Sequence, residues 1–136
     1  MGSSTAQYGL TGRWVRSRKI TYADTGSTVA VIDVPAKTLI PPKGVVCVVT
    51  TLCAGGTPLL DVGDGDNTDG WIDQTDITAT STGTYSGDET STAAYIDNGR
   101  YYSSADTIDV VVSASMTAGE AYVFAYLIDV SDVVDD

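Results

Sequence analysis

LLDVGDGDNTDGWIDQTD, running from Leu59 to Asp76, admits two readings, and the choice between them decides the fold. Six aspartates, three glycines and a tryptophan follow an apolar start. Alternating aspartates on a flexible loop supply the oxygen ligands that hard cations take. Asp64, Asp66 and Thr68 stand at the first, third and fifth places of a helix-loop-helix calcium loop. The match then fails, because the sixth place is Asp69 instead of glycine and the twelfth is Thr75 instead of glutamate. The better reading is a tight acidic turn between two strands. Asp and Asn side chains bond their own backbone, the glycines permit positive φ, and Trp71 restarts a strand. If an irregular calcium site does form here, its candidate ligands are Asp64, Asp66 and Asp69.

Strand signals continue outward on both sides. Upstream, RWVRSRKITY alternates loosely, which places Trp14, Arg16, Arg18 and Ile20 on one face. TVAVIDVP (28–35) reads as a strand closed by proline, and LIPPKG (39–44) as a loop. VVCVVTTLC (45–53) is an unbroken apolar and β-branched run, as in a strand covered on both faces. Downstream, 80–92 is a Thr-, Ser- and Gly-rich loop with at most a weak strand. Asp97-Asn98-Gly99 predicts a hairpin. DTIDVVVSASM (106–116) alternates cleanly, with Ile108, Val110, Val112, Ala114 and Met116 on one face. Thr117 to Glu120 turns the chain into AYVFAYLIDV, where Tyr122, Phe124, Tyr126 and Ile128 stand opposite Ala121, Val123, Ala125 and Leu127.

No stretch carries a 3.6-residue period. The expected architecture is all-β: an antiparallel β-sandwich or jelly roll of about eight strands. An arm over 1–12 precedes it and an acidic tail over 131–136 follows. In so small a sandwich one face of each sheet should read polar. The second faces of 45–53 and 121–130 do not, so Tyr122, Phe124, Tyr126 and Ile128 are candidates for contact with another chain.

Composition narrows function. The chain has 136 residues, 43% hydrophobic and 18% charged, with a net charge of -11. A balance this acidic argues against nucleic acid as a partner. No targeting segment is visible, and the longest apolar run is too short to span a bilayer. Cys47 and Cys53, six apart on one strand, would stand about 20 Å apart at ~3.3 Å per residue. That is too far for a disulfide, so they read as buried free thiols made in a reducing compartment. The absence of histidine removes Ser-His and Cys-His pairs and ordinary zinc catalysis. With sixteen aspartates a carboxylate pair arises by chance, and neither glutamate is placed as a raised-pKa acid. The expectation is a non-enzyme that needs no cofactor. Tyr85, Tyr95, Tyr101 and Tyr102, near Gly- and Ser-rich turns, leave open a platform for host glycans.

Three segments carry a resemblance: the VGD…DGW strand-turn-strand, the alternating strand that opens on DTI, and the closing TAGEAYVFAY. Together with the N-terminal arm they resemble small acidic all-β virion proteins of tailed bacteriophages, including jelly-roll head decoration (cement) proteins. The resemblance implies a homotrimer on the outer capsid surface of the virion. It would be made in the host cytoplasm, clamp major capsid protein subunits and work without cofactors, membrane or nucleic acid. Tyr8, Leu10, Arg13, Trp14, Arg16, Arg18 and Lys19 are then the candidates for docking on the shell. A tail- or fibre-associated module that binds glycans, or a calcium-dependent binding domain, are the alternatives.

Overall fold

A computed structural model describes residues 9–77, 93–113 and 116–133, and the backbone of 83–85. Among them are eleven strands and a single 3-10 turn. The strands are β1 (Thr11–Arg16), β2 (Ile20–Thr21), β3 (Thr28–Val34), β4 (Thr38–Ile40), β5 (Val45–Ala54), β6 (Leu59–Gly63), β7 (Ile72–Asp76), β8 (Gly83–Tyr85), β9 (Arg100–Tyr102), β10 (Asp106–Val112) and β11 (Ala118–Asp129). Expected segments 1–8, 114–115 and 134–136, with most of 78–92, lie outside the described residues.

The eleven segments reduce to eight lanes, because β1 continues as β2, β4 as β5, and β8 as β9. One sheet of seven segments runs β1/β2, β11, β4/β5, β8/β9; the other runs β3, β10, β6, β7. The first lane pairs with the eighth, the second with the seventh, the third with the sixth and the fourth with the fifth, all antiparallel. This is one long hairpin folded over itself, the jelly roll. The sandwich expectation therefore holds, and the acidic segment is indeed the turn between β6 and β7, at the tip of that hairpin.

Period-2 alternation explains why these residues make these strands. In β11, Ala121, Val123, Ala125 and Leu127 are buried while Tyr122, Phe124, Tyr126 and Ile128 are half-buried. In β5, Val45, Cys47 and Val49 point inward, and both cysteines are free and buried. Ile108, Val110 and Val112 of β10 face them from the second sheet, with Leu60, Val62 and Ile72. Burial pushes the Cys47 thiol up to about 12, and raises Cys53 for the same reason.

Five local expectations need correction. Ile20 is in the core, not beside Trp14, because the chain breaks phase over Ser17–Lys19. There Ser17 N–H donates to Val123 O and its Oγ accepts from Val123 N–H, replacing regular pairing. Leu39 and Ile40 belong to β4; the loop is confined to residues 41–44, the proline pair, Lys43, whose φ is 59°, and Gly44. Asp97-Asn98-Gly99 does not join two paired strands. Gly99, with φ 73°, donates to Tyr95 O and ends an α-type turn that delivers β9 to β4. Gly119 is not a turn glycine but a bulge within β11, at φ 123°. Finally, Gly63, Gly65 and Gly70 do not adopt positive φ among the described residues. Gly63 and Gly70 serve close approach instead. A Cβ on Gly63 would lie 2.0 Å from Asn67 O, and one on Gly70 would lie 2.3 Å from the Tyr95 ring.

Candidate functional site: a plugged acidic turn and an aromatic sheet face

The turn after β6 is closed by its own side chains. Asp64 is fully buried. Its Oδ1 accepts from the backbone N–H groups of Asp66 and Asn67, each at 2.9 Å, an Asx-type turn. Its Oδ2 accepts the Tyr102 hydroxyl at 2.7 Å, and Trp71 Nε1 donates to the same hydroxyl oxygen at 3.1 Å. Arg100, on β9, brings Nε to 3.2 Å from Asp64 Oδ2 as an ion pair, off the axis of a hydrogen bond. Its other end bonds Asp66 and the Tyr95 hydroxyl. The guanidinium lies over the Tyr95 and Tyr102 rings, at 4.6 and 5.1 Å from their centroids. Burial raises the phenol pKa of both tyrosines, and the Asp64 carboxylate adds to the rise.

This arrangement bears on calcium. Asp64, Asp66 and Asp106 approach closely enough to share an ion, whereas Asp69 does not join them. Asp106 comes from β10, which local spacing could not reveal. The cation that meets two of these carboxylates, Asp64 and Asp66, is Arg100. Asp106 accepts from the Gly65 and Thr107 N–H groups, and both Asp64 oxygens already have donors. The same geometry weakens the glycan platform. Tyr102 is 3% exposed and Tyr95 packs edge-on against Trp71 at 5.5 Å between centroids. Tyr101 is half-buried, and the Tyr85 side chain lies outside the described residues.

The second feature is the outer face of the seven-segment sheet. Antiparallel register sets Trp14 opposite Tyr126, and Arg16 opposite Phe124, which in turn faces Val46 of β5. Tyr122 faces Val48. The Trp14 and Tyr126 rings lie 5.2 Å apart, and the Arg16 guanidinium stands 5.0 Å over the Tyr122 ring. Trp14 remains 55% exposed and Leu10, just before β1, 50%. The docking candidates and the oligomer candidates, which the sequence treated as two sets, thus share one surface through β1 and β11. Not every member is available. Arg18 bridges Asp24 at 2.8 Å and Lys19 bridges Glu120 at 3.2 Å. The Arg18 hydrogen bonds hold the Asp24 carboxyl below its ordinary range. Arg13 is exposed at the sandwich edge; the Asp129 carboxyl is held below its ordinary range chiefly by its hydrogen bonds to Ser131, with a smaller contribution from Arg13. Tyr8 lies outside the described residues.

Charge divides between the two sheets. The four strands β3, β6, β7 and β10 carry six aspartates and no basic residue. All seven basic residues stand in the other sheet or in the connections entering it. No helix of the described residues is long and apolar enough to cross a membrane.

No protein-family model and no curated protein matches the chain. Among solved structures, a chain described as belonging to the Cyanophage Pam1 capsid asymmetric unit is similar in fold. The TM-score is 0.57 at 14% identity, over 94% of this chain and 91% of that one.

Proposed function

We propose that this chain is a structural protein of a phage virion, a head decoration protein that binds the outer capsid as a trimer and holds neighbouring capsid subunits together. The observation that carries the reading is the aromatic outer face of the seven-segment sheet. A free domain with charge -11 has ample polar residues to cover such a face, yet leaves Trp14 55% exposed and Tyr122, Phe124 and Tyr126 only partly covered beside it. Aromatic and arginine side chains together are the composition of binding surfaces. The fold shared with a chain of a phage capsid asymmetric unit supports the same reading. Binding then works by mass action: a protein that engages the assembled shell and not its separated subunits stabilises the shell.

The experiment is to mix purified protein with shells of the same virus lacking it, sediment them, and measure shell disruption by heat with and without the protein. Saturable binding in multiples of three per site, with a raised disruption temperature, is expected. A monomer that stays in the supernatant refutes the reading.

A further inference from the structure

The two sheets of the sandwich present opposite chemistry to the outside. On one, Asp33, Asp61, Asp73 and Asp109 lie on or beside the outward rows of strands without a basic residue. Burial among like charges raises the Asp61 and Asp109 carboxyl pKa values. Closing a second protein over that sheet would desolvate them further. On the other, the central rows of β1, β5 and β11 present Trp14, Tyr126, Phe124 and Val46, with Arg16 and no carboxylate among them. Among the described residues Arg16 meets an aromatic ring but no carboxylate at ion-pair distance.

We infer that the outer face of the seven-segment sheet is the surface turned toward the shell, and that the acidic sheet faces solvent. The occupant is a capsid-subunit surface that is apolar at its centre and offers a carboxylate to Arg16. This deepens, and rests on, the reading of the chain as a shell-binding protein. Charge complementarity decides between that occupant and a second copy. A copy meeting the same face brings another uncompensated Arg16, while the carboxylates of this sheet's β11, Glu120 and Asp129, already engage Lys19 and the Ser131 N–H, and the remaining strand carboxylates sit on the opposite sheet. Trimer contacts are accordingly assigned elsewhere.

The test uses the full chain and shells of the same virus, with sedimentation for binding, light scattering for mass, and a melt for folding. Trp14→Ser and Arg16→Glu, both at exposed positions, are compared with Asp33→Lys on the acidic sheet. The first two should each weaken shell binding by about tenfold or more, and Asp33→Lys should leave it within about twofold. Added salt should weaken the wild type more than it weakens Arg16→Glu. Trimer mass should survive all three changes. If wild type binds and the two face variants bind equally well, the orientation is overturned while the shell reading stands. If they become monomers, the face belongs to a second copy and the inference is again overturned. If wild type itself stays off the shell, the underlying reading falls first.

Discussion

Arg100→Met tests whether the acidic turn is held by an internal cation. Asp64 is fully buried, and three quarters of the Arg100 side chain is covered. The substitution keeps much of the apolar stem against Tyr95 and Tyr102 and removes the guanidinium, with its charge and its bonds to Asp66 and Tyr95. Breaking a buried pair by deleting one partner costs about 3–5 kcal/mol, because the remaining charge is left uncompensated. Here a quarter of the arginine meets solvent, and the Tyr102 hydroxyl and two backbone N–H groups still serve Asp64. The lower end, about 3 kcal/mol, therefore applies. A 136-residue domain gains roughly 0.3 kcal/mol/K of unfolding entropy, so Tm should fall by about 10 °C. Circular dichroism melts of wild type, Arg100→Met, Asp64→Asn and the double variant give the coupling. The double variant should recover part of the loss, since both charges then leave together. A fall under about 3 °C, or strictly additive losses, refutes the ion pair as the element that closes the turn.

Other consequences can be checked on the same preparations. Wild-type melts should be unchanged by EDTA or added calcium, because Arg100 already meets Asp64 and Asp66 of the Asp64–Asp66–Asp106 cluster; a chelator-sensitive Tm speaks for a metal instead. Asp109 has its folded pKa raised above 3.8 by burial, so the folded state binds the proton more tightly than the unfolded one. Its penalty is full above the folded pKa and is relieved as pH falls toward 3.8. Asp109→Asn should thus stabilise at neutral pH, with the gain shrinking on acidification; a gain that grows toward acid contradicts this. With Cys47 at about 12 and both thiols buried, neither should react with a thiol reagent at pH 8 until urea unfolds the chain. Gly70→Ala drives a Cβ to 2.3 Å from the Tyr95 ring and should cost about 1–3 kcal/mol by melt.

The strands were legible wherever the hydrophobic period was long. The outlines of β3 and β5 follow from apolar, β-branched runs bounded by proline or glycine, those of β10 and β11 from rows of period two, and the inward rows of β10 and β11 match residue by residue. Breaks of phase were not legible. Ser17 and the Gly119 bulge flip or shift a row by contacts with strands far away in sequence, which no local pattern encodes. At the acidic turn the sequence showed the aspartates but not their neutraliser. Arg100 lies 36 positions beyond Asp64, and only the pairing of β9 with β4 brings it close. Glycine roles were misassigned for a related reason. Close approach by Asn67 or Tyr95 leaves the same residue type in the sequence as positive φ does. The division of charge between sheets was visible as a list of residues, but became a pattern only once strands were dealt to their sheets.

The nested pairing of lanes also dictates how the protein comes into being. β11 is central in its sheet and is made after the other ten described strands, and Ser17 finds Val123 across 106 residues. During synthesis, at about 5–20 residues per second, β3, β4 and β5 leave the ribosome seconds before any strand that will cover their edges. Only β6 and β7 can close with a neighbour as they emerge. The nascent chain therefore waits with open apolar edges, and folding turns into a race between β11's arrival and aggregation. Chaperone supply and synthesis rate, more than the strength of any single contact, will then set the yield of native protein.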